Sequence, residues 1–104
     1  MNKDNSFLIR GTVYNLPEKK ELGKYELGEV VLRCSTSAKA KGSPQEAFIP
    51  VTGWGDMCAV IMGLTINDKV DAFGEIRTRE WESPNGKTYT FFSFVAERVV
   101  KRED

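Results

Sequence analysis

The sequence predicts an all-β domain, a small closed barrel of five strands with one short helix between the third and the fourth. Three observations predict it. Short runs rich in apolar, β-branched and aromatic residues recur at 6–13, 29–36, 46–54, 69–81 and 87–95, each bounded by Gly, Pro, Asn or charged residues. Only one stretch, 56–63, has the character of a helix. A chain of 104 residues makes one domain, large enough to bury a core without disulfides.

Residues 6–13 contain Phe7, Leu8, Ile9 and Val13, a compact apolar run that forms the first strand, with Gly11 marking a bend or bulge. Residues 15–28 are charged and contain Pro17, Gly23 and Gly28, so they read as a long turn with an extended piece near Tyr25. The second strand is 29–36, carrying Val30, Val31, Leu32 and Cys34. Residues 37–45 have the composition of a loop. Between Val30 and Gln45 the charged residues are Arg33, Lys39 and Lys41, with no acid among them. Taken alone this favours a solvated loop; on a binding face it supplies cations.

The third strand, 46–54, alternates. Ile49, Val51 and Gly53 share one face, and Phe48, Pro50, Thr52 and Trp54 the other. Pro50 cannot donate to a ladder, so its nitrogen must face an edge or a bulge. Phe48 and Trp54 fit either a core or an exposed stacking face. Their company, Pro50 and Thr52 opposite Ile49 and Val51, favours the exposed face. Residues 56–63 form the helix, with Asp56 as its cap, Gly63 at its end and Cys58 as a small buried side chain.

The stretch 69–95 is a basic, aromatic hairpin. On its first arm Val70, Ala72, Gly74, Ile76 and Thr78 share a face suited to a core, while Phe73, Glu75, Arg77, Arg79 and Trp81 share the other. Two guanidiniums and an indole in a row on a polar face suit a ligand with both phosphates and flat bases. Residues 82–86 form the turn, Asn85-Gly86 supplying positions of positive φ, and 87–95 returns rich in Thr, Tyr and Phe. Residues 96–100 close the domain and 101–104 are a polar end. Three strands, a short helix and two strands are the element order of an OB-fold.

Charge and composition limit the function. There are 15 basic and 15 acidic residues, a net charge of zero, which argues against holding nucleic acid by bulk charge but not against basic residues concentrated in one groove. The chain has no histidine, so no imidazole is present for a Ser-His-Asp or Cys-His nucleophile or for a zinc site. Glu80 and Glu82 flank Trp81 at a hairpin tip, where acids are solvated rather than catalytic. The expectation is therefore no enzyme, no catalytic or metal-binding residue, no cofactor and no small-molecule substrate. No apolar run reaches the roughly 18 residues of a membrane span, and the polar start shows no signal peptide. With Cys34 and Cys58 outside any Cys-x-x-Cys pair, a cytoplasmic protein is expected.

Over nearly its whole length the chain resembles the bacterial and phage single-stranded DNA-binding protein family. The likeness lies in Phe48-Ile49-Pro50-Val51-Thr52-Gly53-Trp54-Gly55, in Gly74-Glu75-Ile76-Arg77-Thr78-Arg79-Glu80-Trp81, in Asn85-Gly86-Lys87 with Tyr89, and in Val95-Ala96-Glu97-Arg98-Val99. The resemblance implies stacking roles for Phe48, Trp54, Trp81 and Tyr89, and phosphate roles for Arg77, Arg79 and Lys87, with Arg33, Lys39 and Lys41 adding positive charge. It implies single-stranded DNA as partner, during replication, recombination and repair. It also implies a homo-oligomer, a tetramer or a dimer, paired through the first strand. Three features depart from the family. Phe48 and Trp54 exchange the usual order of the two aromatic types, which keeps a π-face at each position. The position of a further aromatic falls near Ala38. Lys101-Arg102-Glu103-Asp104 is not an acidic, apolar recruiting tip, so recruitment of partners by a C-terminal tail is not expected. A primosomal replication protein of the same fold, or an OB domain used for protein interaction, are the alternatives.

Overall fold

The computed structural model describes residues 4–37, 41–42 and 45–103. Its elements are β1 (Phe7–Val13), β2 (Glu18–Leu22), β3 (Tyr25–Ser35), β4 (Glu46–Trp54), α1 (Asp56–Met62), β5 (Lys69–Glu82) and β6 (Thr88–Arg102). The strands form one sheet in the order β1-β5-β6-β4-β3-β2, and β1 also pairs with β3, so β1, β5, β6, β4 and β3 close into a ring. All strand pairs are antiparallel except β4 with β6. Inward positions of the alternation fill the core: Ile9 and Val13 from β1, Val30 and Leu32 from β3, Val51 from β4, Val70 and Ala72 from β5, Ala96 from β6.

β4 spans the residues expected of it, and the alternation holds at Phe48 and Pro50, which are exposed, and at Val51 and Gly53, which are buried. Thr52, expected on the exposed face, is buried, and Trp54 is half-buried. Pro50 fits for a specific reason. Its register partner Val31 directs its own N–H to Asn15 Oδ1 (2.9 Å) and its carbonyl to the Tyr14 N–H (2.9 Å), both away from β4. Val31 and Pro50 are thus a non-hydrogen-bonded pair. The Pro50 nitrogen points away from β3, just outside the register of β4 with β6, which covers Val51 and Thr52. No ladder bond is lost.

Five expectations need correction. Residues 15–28 are not a long turn: they hold β2 and the start of β3, a hairpin joined by Gly23 and Lys24. Gly23 has φ 63° and Lys24 is not in the positive-φ region, the type II′ pattern with Gly first. Every residue of β2 is exposed, so the segment carries no apolar alternation to reveal it. Its register is marked by charge instead, with ion pairs Lys19–Glu26 at 3.2 Å and Lys20–Glu29 at 3.6 Å. Second, Asp56 does not cap α1; Gly55 does, at φ 59°, with no side-chain cap bond, and Asp56 is the first helical residue. Third, Gly11 makes no bulge. It pairs regularly with Val70 and is needed for close approach, since a Cβ there would lie 2.9 Å from the Arg33 carbonyl oxygen. Fourth, β6 runs unbroken through residues 95–96. The bulge lies in its pairing with β5: Phe73 pairs with Arg98 but Gly74 with Ala96, which leaves Glu97 as the extra residue. A Cβ on Gly74 would lie 1.9 Å from the Val95 carbonyl oxygen, so only glycine fits. Fifth, in the β5–β6 turn only Gly86 has positive φ (85°). Gly86 N–H donates to Ser83 O at 2.9 Å across Pro84 and Asn85, a type I turn followed by a left-handed glycine.

The helix lies against the ring through two glycines that are register partners, Gly28 and Gly53. Ile61 is fully buried in this contact. A Cβ on Gly53 would sit 2.7 Å from both Ile61 Cδ1 and Met57 Cγ and 3.0 Å from the Met57 carbonyl oxygen. Gly53→Ala must therefore push α1 off the sheet. Overpacking of this kind costs about 1–3 kcal/mol, and about 4–8 °C of melting temperature per kcal/mol is expected for a domain near this size. A thermal melt of Gly53→Ala within about 1 °C of wild type would show that the helix is not seated this way.

Candidate nucleic-acid interface

The outward face of β3 and β4 is one wall of a groove of about 330 Å³, lined by Lys20 and Leu22 of β2, Leu27 and Glu29 of β3, Thr52 and Trp54 of β4, Arg77, Thr78 and Arg79 of β5, and Ser93 and Val95 of β6. Register explains the assembly. Leu27 opposes Trp54 and Glu29 opposes Thr52 across β3–β4; Thr52 opposes Val95 across β4–β6; Glu75 opposes Val95 and Arg77 opposes Ser93 across β5–β6. Leu27, Thr52 and Val95 are buried and make the floor, while Lys20, Leu22, Arg77 and Arg79 are exposed and make the rim.

Of the residues singled out in the sequence, Trp54, Arg77 and Arg79 meet in this groove. Beyond it the same face continues along the β5–β6 ribbon, where Trp81 and Tyr89 are register partners with ring centroids 5.7 Å apart and planes at 30°. Lys87 is exposed at the ribbon's turn. Phe48 and Arg33 pair across β3–β4 at the other end of the face. Lys41 is exposed in the loop between β3 and β4; Lys39 and Ala38 lie outside the described residues.

Charge within the face is uneven. Arg77 Nε lies 2.6 Å from Glu75 Oε1, two residues away on the same side of β5. Arg33 Nε lies 3.1 Å from Glu46 Oε2, and Lys20 Nζ 3.6 Å from Glu29 Oε1. Arg79 makes no ion pair among the described residues, so its guanidinium is the most available cation of the groove. Cys34 lies on the inward side of β3 against the core, and burial pushes its thiol pKa up, away from the thiolate a nucleophile needs.

The sequence pattern does not single out Lys20, Leu22 and Leu27, because β2 buries nothing and carries no alternation that would mark the hairpin. It also passes over Tyr14, which packs edge-on against Phe48, and Phe91, exposed on the ribbon opposite Arg79. The two-residue Gly-Lys step between Leu22 and Tyr25 was the available signal for the hairpin. Comparison of the chain with protein-family models and with curated proteins found no match.

Trp81 is 52 % exposed and touches the exposed Tyr89. Removing it leaves no cavity and forfeits one cross-strand contact, roughly 0.2–1 kcal/mol. Trp81→Ala should melt within a few degrees of wild type. A loss on the scale of a core aromatic, about 3–5 kcal/mol, would place the indole inside and reverse the two faces of β5.

Proposed function

We propose that this protein is an OB-fold, single-stranded DNA-binding protein that coats exposed strands with little sequence preference, during DNA replication, recombination and repair. The observation that carries the reading is the groove itself. Trp54 of β4 and Arg77 and Arg79 of β5 meet in one channel with a largely apolar floor, and the same face continues to the Trp81–Tyr89 pair. Aromatic faces stack bases and guanidiniums neutralise phosphates, a combination that tolerates any sequence because every base has a π-face.

The architecture supports the OB-fold assignment. Setting β2 aside, the ring has five strands, and α1 falls between the third and the fourth of them. OB-folds bind oligonucleotides on the face of strands 2 and 3, flanked by the loops after strands 1 and 4. Here those parts are the β3–β4 face, the segment holding β2, and the β5–β6 turn with its ribbon. The likeness of the Gly74 to Trp81 segment to the single-stranded DNA-binding family points the same way. The reading includes self-association through β1: its register with β3 covers only Thr12 and Val13, and Leu8 is exposed on it.

Titration with oligo-dT, followed by tryptophan quenching at several salt concentrations, tests the proposal. Tight binding is expected, with log affinity falling by about 0.7 per phosphate neutralised as log salt rises. Trp81→Ala should weaken binding about tenfold to a hundredfold, the effect of losing one stacked base. Weak binding would favour a primosomal type of protein, and none an interaction domain. A second expectation follows from the Glu75–Arg77 pair. Glu75→Gln releases Arg77 to a phosphate, so affinity at low salt should rise and the salt slope should steepen by up to about 0.7. An unchanged slope would remove Arg77 from the phosphate path.

A further inference from the structure

Tyr14 follows β1 directly, and its backbone is pinned. Its N–H donates to the Val31 carbonyl at 2.9 Å, and the neighbouring Asn15 Oδ1 accepts the Val31 N–H at 2.9 Å. The side chain lies on the outward side, against Phe48: ring centroids are 4.8 Å apart and the planes are inclined at 66°. Tyr14 is 54 % exposed and Phe48 51 %, so neither ring is covered by the other. Two half-exposed aromatic rings held together on a sheet face gain only part of the burial that a core position would give them. The same arrangement leaves about half of each residue's surface open to solvent. Val31 and Pro50, register partners on this face, carry an apolar path from the corner to Thr52 and Trp54 in the groove. Arg33 stands beside Phe48 as its register partner.

We infer that Tyr14 is a base-stacking residue, and that with Phe48 it forms a second two-ring platform at the end of the face remote from Trp81 and Tyr89. The inference rests on the single-stranded DNA reading. With the two planes at 66°, one flat base cannot lie against both rings. Phe48 stacks one base and Tyr14 a separate one, and the strand turns between them. The Trp81–Tyr89 pair differs in kind: its planes are inclined at only 30°. The bound strand then runs from the Tyr14–Phe48 corner, over Pro50 and Trp54, past Arg77 and Arg79, to the ribbon. The Tyr14 hydroxyl adds a hydrogen-bonding group that phenylalanine lacks, so stacking should survive Tyr14→Phe.

Three variants of the full chain, Tyr14→Ala, Tyr14→Leu and Tyr14→Phe, titrated with a long oligo-dT at one salt concentration and melted in parallel, test this. Tyr14→Ala and Tyr14→Leu should both weaken binding about tenfold, since one stacked base is lost, and Tyr14→Phe should bind within about threefold of wild type. Tyr14→Leu keeps an apolar cover over Phe48, so weaker binding at an unchanged melting temperature isolates the π-face; it also decides the matter if Tyr14→Ala folds poorly. Wild-type protein that binds while Tyr14→Leu binds equally well overturns the inference and leaves the DNA reading standing. Wild-type protein that fails to bind oligo-dT removes both.

Discussion

Closure of the strand ring at β1 is the constraint on which the rest depends. β1 pairs with β5 from Phe7 to Thr12, then meets β3 through Thr12 and Val13. One short strand can serve two neighbours only if its backbone comes very close to the second. Gly11 permits that, lying where any Cβ would meet the Arg33 carbonyl oxygen and Cys34 Sγ at 2.9 Å. With the ring closed, inward side chains have a common interior, and α1 covers it over the paired glycines Gly28 and Gly53. The outward face of β3 and β4 is left to solvent, with β2 on one side and the β5–β6 ribbon on the other. The groove is a consequence of closure rather than a separate feature.

The ring also explains the ribbon. β1 accompanies β5 only as far as Gly74. The Asn5 side chain supplies one further partner, its amide donating to the Ile76 carbonyl at 2.5 Å and its oxygen accepting the Ile76 N–H at 3.0 Å. On the other side, β4 meets β6 only at Phe94 and Val95. Beyond these points two strands run alone, with no third element to cover either face. Arg79, Trp81, Tyr89, Phe91 and Phe92 are all exposed for that reason. A two-stranded ribbon has little core to gain from aromatic residues, so they stay on its surface.

Electrostatics in this protein is local. Exposed ion pairs contribute little to stability, and most pairs here are exposed on at least one side, such as Lys19–Glu26 and Arg33–Glu46. Their consequence is to decide which cations of a neutral chain stay available. Around Asp71, Arg10 at 3.1 Å and Arg102 at 2.9 Å share one carboxylate. In the groove Arg77 is held by Glu75 while Arg79 is not held among the described residues. Composition counts all of these alike; geometry separates them.

The sequence by itself determined what a one-sided burial pattern can report. Alternation in residues 46–54 separated Phe48 and Pro50 from Val51 and Gly53, and alternation in 69–81 separated Val70 and Ala72 from Arg77, Arg79 and Trp81, because the core takes alternate side chains of a strand. It failed at Thr52, buried on the outward face, and at Thr78, exposed where β5 has left the core. The helix at Asp56 and the turn after Ser83 were legible from local punctuation for the same short-range reason. What only the tertiary structure decided involves partners far apart in the chain, or elements with no buried face. β2 buries nothing, so it left no period to read. The bulge at Glu97 exists because Gly74, on another strand, lets the Val95 carbonyl come close. Tyr14 meets Phe48, and Lys20 reaches the rim of the same groove as Arg79, only once the ring sets the register of five strands. Such contacts depend on which strands become neighbours and in what register, and ring closure decides both.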